Sequence, residues 1–166
     1  MREFNVAKGL STAAALTAHD APQRNRETIE RLVDAFARNA IKDIMACFTE
    51  DAVYHDVRGG PPGGTIYRGK DAIEQMFSEQ IRLLGQHTYE NPIILTDSDS
   101  GFARWSLVLG QRQDRNAPRY DGVDHFLFDK EGLCISKTAW LKAQPSIAKR
   151  LFTRRPLASL RAQLMG

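Results

Sequence analysis

Two aspartates stand where the strands around them place aromatic residues. In R-Y-D-G-V-D-H-F-L-F-D, Arg119 to Asp129, strand alternation sets Asp124 on the face of Tyr120, Phe126 and Phe128. In A-V-Y-H-D-V, Ala52 to Val57, it sets Asp56 on the face of Tyr54, just before a glycine-proline loop. A carboxyl group taken out of water without a charged partner tends to stay neutral, because low dielectric disfavours its ionised form. Two such groups in one apolar cavity need not behave alike. An ionised one is a base, and one held protonated can donate a hydrogen bond to a developing oxyanion. That division would move a proton beside a carbonyl without metal or cofactor. The structural alternative for both residues is to cap a turn, pair with Arg104 or Arg119, or face solvent on an edge.

Other chemistries find less support in the spacing. His55 adjoins Asp56 and His125 adjoins Asp124. Strand neighbours point to opposite faces, so neither pair shares a metal easily, and His125 is expected to be hydrogen-bonded on the outer face. His19 and His87 have no partner pattern. Gly64 to Lys70 has the spacing of a phosphate-binding loop, but Asp71 stands where a hydroxyl would hold magnesium and would repel phosphate. Asp71 suits a helix cap instead, with Glu74 completing a capping box. Cys47 and Cys134 are expected as buried, reduced thiols, which fits a cytoplasmic protein.

The elements that position these groups divide the chain into helices first and strands after. Its 166 residues, 42% hydrophobic and 26% charged, suit one globular domain with a real core. No apolar run approaches the roughly 20 residues needed to cross a bilayer. A-P-Q after Asp20 resembles a helix start; Ile29, Leu32, Val33 and Phe36, then Ile41, Ile44, Met45 and Phe48, suggest two helices in succession. Arg58 to Thr65 reads as a loop, and Ile73, Phe77, Ile81 and Leu84 form the stripe of another helix. From His87 onward the text reads as strands, with turns at D-S-D-S-G and D-K-E-G. This describes an α+β domain, a curved and mostly antiparallel sheet folded around a long helix, with a pocket between them.

Outside the domain, placed at 22–144, two arms are expected. Residues 1–21 read as a flexible N-terminal arm, since their apolar stretch is short and broken for a cleaved leader. Residues 145–166 read as a basic amphipathic arm: seven Lys and Arg and no acidic residue follow Glu131, so the chain after Glu131 carries +7 and everything before it −4. Packing on the domain or on a second subunit is favoured over a membrane or nucleic-acid role, because Pro156 divides the segment and no aromatic-rich motif accompanies it.

The order of these segments, with A-V-Y-H-D, G-K-D-A-I-E-Q-M-F and V-D-H-F-L-F as its markers, resembles the nuclear transport factor 2 superfamily, a cone-shaped fold that includes SnoaL-like polyketide cyclases and limonene epoxide hydrolase. The ketosteroid isomerase branch is the most similar. The resemblance implies a cofactor-free enzyme, without a metal, acting on a steroid or polyketide-like carbonyl compound. Asp56 would remove the proton, and a protonated Asp124 would steady the enolate; this branch is also the standard example of a carboxylic acid kept neutral in an apolar site. The branch's helix-one tyrosine falls on Leu32, leaving Tyr54, or secondly Tyr120, as the substitute donor. Phe126, Phe128, Met76 and Tyr120 are candidate substrate contacts, and a homodimer is the expected assembly. Cyclisation, or apolar-ligand binding without catalysis, is the alternative. The two essential aspartates of limonene epoxide hydrolase fall on Ser106 and near Ala139, so its water-activating chemistry is not expected, and Arg104 is read as structural.

Overall fold

A computed structural model describes residues 7–57, 64–110 and 116–142, with side chains from residue 20 onward. The basic arm at 145–166 and most of the Arg58–Thr65 loop lie outside the described residues. In chain order the elements are α1 (Ala7–Ala37), α2 (Ile41–Met45), β1 (Phe48–Asp56), β2 (Thr65–Arg68), α3 (Lys70–Leu84), β3 (His87–Thr96), β4 (Ser100–Leu109), β5 (Arg119–Phe128) and β6 (Cys134–Leu141). The six strands form one curved sheet in the order β2-β1-β6-β5-β4-β3. Only β1 and β6 run parallel; the other neighbours are antiparallel.

Helix α1 begins at Ala7, not after Asp20, and Pro22 lies inside it. Proline there withholds one backbone donor, a cost the surrounding turns of helix absorb. The helix ends where Asn39 takes a φ of 58°, a conformation that asparagine tolerates better than most residues. Its buried stripe is Ile29, Leu32, Ala35 and Phe36. Polar side chains then fasten it to the sheet's turns. Asn25 donates to the Asp97 carbonyl (2.8 Å), and Thr28 donates to the Gly132 carbonyl (2.8 Å).

Helix α3 also starts differently from expectation. Gly69, at φ 83°, is its N-cap, and no side chain caps it. Asp71 sits inside the first turn, where its charge complements the helix dipole rather than closing a capping box. Strand β2, which pairs with β1 from Val53–Arg68 to Asp56–Thr65, occupies the segment that carries the phosphate-loop spacing. Strand β3 is an edge, which is why it accommodates Pro92 and an irregular register between Glu90 and Ile93, with Asn91 at φ 51°.

Candidate functional site

The inner face of the sheet is built from rows of paired residues. One row runs Asp56, Ala139, Asp124 and Ala103 across β1, β6, β5 and β4. The two aspartates therefore share a face, with one strand between them, so about 10 Å of sheet separates their backbones. The residue between them is alanine, and its short side chain leaves room above it. The next row places Tyr54, Lys137 and Phe126 side by side.

These rows and the two longer helices enclose a cavity of about 30 Å³. Val33 and Phe36 of α1, Phe77 and Gln80 of α3, and Tyr54, Tyr89, Trp105, Asp124, Lys137 and Ala139 of the sheet line it. That is room for about two waters, well below the roughly 300–1,000 Å³ of a pocket for a drug-sized ligand.

The charged centre of the cavity is a pair that the sequence reading missed. Lys137 Nζ lies 3.0 Å from Asp124 Oδ2, and the two side chains are only 5% and 10% exposed. The indole N–H of Trp105 donates to the same oxygen at 2.9 Å. Asp124 Oδ1 is buried with no hydrogen-bond partner among the described residues. Around the ammonium stand the rings of Tyr54 (5.0 Å), Phe126 (5.7 Å), Phe36 and Phe77 (both 5.9 Å). Cation–π attraction offsets part of the hydration that Lys137 gives up.

Trp105 holds its place because its cross-strand partner is Gly122. A Cβ on that glycine would fall inside the indole ring's van der Waals envelope. The absence of a side chain lets the ring lie flat on β5 and reach Asp124.

The expected site residues separate into two groups. Tyr54 and Asp124 meet in the cavity, Tyr54 being 1% exposed. Asp56, half-buried, is on the same face but not among the lining residues. Phe126, Phe128 and Tyr120 are buried in the core, the first two stacked 6.0 Å apart, and Met76 packs on the core's margin; none of the four lines the cavity. Leu32 is a core residue, 1% exposed. Both donors, the Trp105 indole and the Lys137 ammonium, converge on Asp124 Oδ2 and leave Oδ1 to the cavity.

On the outer face, His125 stacks on Phe102 with ring centroids 4.5 Å apart, and Arg104 is exposed. Among the described residues no group of three His, Cys, Asp or Glu side chains could hold a metal. Cys47 and Cys134 are free and buried, and burial pushes both thiols up from their ordinary range, which leaves them poor nucleophiles. His87 is buried, with Nδ1 2.7 Å from the Gly85 carbonyl.

The model of the SnoaL-like domain matches residues 29–136. No curated protein matches the sequence. Among solved structures, a proposed polyketide cyclase from Xanthomonas campestris pv. campestris superposes with a TM-score of 0.63 at 16% identity, covering 77% of this chain and 97% of that one. A proposed ketosteroid isomerase from Kribbella flavida gives 0.60 at 19% identity, over 75% and 82%. A phenazine biosynthesis-related protein from Pseudomonas aeruginosa gives 0.63 at 12% identity, over 86% and 83%. At these identities the likeness is one of fold.

Proposed function

The chain belongs to the SnoaL-like domain family, and on that footing we propose that it is a cofactor-free enzyme that moves a proton beside the carbonyl of a small apolar substrate through an enolate. The observation that carries this reading is the Asp124–Lys137 pair, with one carboxylate oxygen engaged and the other buried and unpartnered in an aromatic cavity. Asp124 Oδ1 takes the α-proton and returns it at another carbon. Lys137, with Tyr54 beside it, holds the carbonyl oxygen as negative charge grows there. A base of this kind supplies about 10²–10⁴ in rate, and a preorganised counter-charge about 10²–10³ more.

Asp56 keeps a place in the reading as the second carboxylate of the row, one strand from Asp124. It is the group that would pick up or deliver the proton if the substrate extends along the Ala139 gap. A four-ring steroid body exceeds the cavity as it stands, so the substrate is a small ketone, or a larger one whose reacting end alone enters. Closure of a polyketide-like chain is the second reading, supported by the name of the Xanthomonas neighbour; there the enolate attacks a second carbonyl instead of regaining its proton. The setting proposed is the cytoplasm, which suits two free thiols, and no described helix is long and apolar enough to cross a membrane.

A β,γ-unsaturated cyclohexenone and a β,γ-unsaturated ketosteroid, each followed by the absorbance of the conjugated enone, test the proposal. The small ketone is expected to turn over. Asp124→Asn should lower kcat by about 10²–10⁴, with Asp56→Asn less damaging. Full activity in Asp124→Asn would overturn the assignment.

A further inference from the structure

We propose that Lys137 is a covalent catalyst, its amine forming an imine with the carbonyl carbon of a small aldehyde or ketone admitted to the cavity. This rests on reading the cavity as a carbonyl site and goes further, replacing a passing electrostatic contact by a bond. Lys137 is 4% exposed, whereas Lys42 and Lys130 are on the surface, and Lys70 pairs with an exposed Glu50 at 2.8 Å. A buried ion pair is a weak way to stabilise a core, since desolvation consumes most of the Coulomb gain. This one faces a cavity. A lysine facing an apolar cavity with a carboxylate in hydrogen-bond reach has an acceptor for the proton that the amine gives up before it attacks a carbonyl.

The step balances without an added reagent. Lys137 passes one ammonium proton to Asp124 Oδ2, 3.0 Å away. The nitrogen lone pair attacks the carbonyl carbon, the C–N bond forms, and the C=O π pair moves to oxygen, which takes a second proton from that nitrogen to give a carbinolamine. Asp124 returns its proton to the hydroxyl, the C–O bond breaks, and water leaves a protonated imine. Ammonium plus carbonyl has become iminium plus water, and Asp124 is again a carboxylate. The iminium draws electrons from the α-carbon, so the carboxylate can then remove the α-proton to form an enamine. Asp124 then returns that proton to a carbon of the enamine, which regenerates the iminium, and water adds to the iminium carbon to release the product and the Lys137 amine.

The full chain is incubated with propanal and sodium cyanoborohydride, which reduces an iminium to a stable amine, and the adduct is located by peptide mapping. In parallel, α-hydrogen exchange of propanal in deuterium oxide is followed by proton resonance. The expected result is a propyl adduct on Lys137 before any on Lys42 or Lys130, together with protein-dependent exchange, and loss of that adduct in Lys137→Arg, which keeps a charge beside Asp124. Exchange with Lys137 unlabelled would overturn the imine and leave the enolate reading standing. Neither exchange nor adduct would overturn both. Should Lys137→Arg not fold, the order of labelling in the unsubstituted protein decides the matter.

Discussion

On the inner face of the sheet Asp124 and Lys137 are 7% and 4% exposed, whereas on its outer face Phe102 and Trp140 are 46% and 44% exposed. Each face departs from the usual rule that charges face water and rings face the core. The inner departure requires compensation within the protein: an ion pair, an indole donor and a ring of aromatic faces. The outer one requires none, but it gathers Leu95, Phe102, Val123, Leu127 and Trp140 on neighbouring strands, a pattern of surfaces that meet other proteins. Where local patterning fails against the fold, function is the first explanation to test. The proposed chemistry is tested on the inner face, and association on the outer face.

The largest effect is expected from splitting the inner pair. Lys137→Met leaves Asp124 buried without its counter-charge and should cost about 3–5 kcal/mol, read as a fall in the urea midpoint. Replacing both partners, Asp124→Leu with Lys137→Met, should restore stability to the starting value or about 1–4 kcal/mol above it, while abolishing activity. If Lys137→Met alone cost no more than a surface change, the two faces would not differ as described. A smaller effect, about 1–3 kcal/mol, is expected from Gly122→Ala, because the added methyl must displace Trp105. That displacement should alter indole fluorescence and weaken activity through the lost hydrogen bond to Asp124.

Much of this architecture was legible in the text of the chain. The alternation of β5 places Tyr120, Gly122, Asp124, Phe126 and Phe128 on the buried side, and Ile29, Leu32 and Phe36 are buried at helical spacing. Lys137 was not legible, for a geometric reason. Simple alternation through C-I-S-K-T-A-W-L keeps Cys134, Ser136, Thr138 and Trp140 on one face and sends Lys137 to the other. The β5–β6 register skips Ile135, pairing Leu127 with Ser136 and Phe128 with Cys134. That bulge reverses the parity, so Lys137 and Ala139 turn inward and Trp140 turns outward. The contact with Asp124 is then diagonal across two strands, since Asp124 pairs directly with Ala139. No spacing within either strand reveals it. Beta-strand β2 was hidden likewise, because a four-residue strand beside a glycine-proline loop carries too little pattern to be seen.

The smallest effects on the folded monomer, and the most telling for the outer face, come from replacing its exposed rings. The family resemblance implies a homodimer, and this face is the surface on which that expectation is tested. Two of its rows carry the apolar groups, Ile93-Arg104-Val123-Trp140 and Leu95-Phe102-His125-Thr138. Phe102→Ser combined with Trp140→Ser should change monomer stability by only about 0.5 kcal/mol, as expected for solvent-facing positions, yet shift the mass measured by sedimentation equilibrium from dimer to monomer. Leu95→Ser, on the edge strand β3 at the margin of the patch, should weaken association less than either central ring. The contact should also respond little to salt, since Arg104 is the only Lys, Arg, Asp or Glu in these two rows and apolar burial is not screened. A parent protein that stays monomeric at every concentration would remove the outer face from the comparison and leave the inner pair as the sheet's one departure with a use.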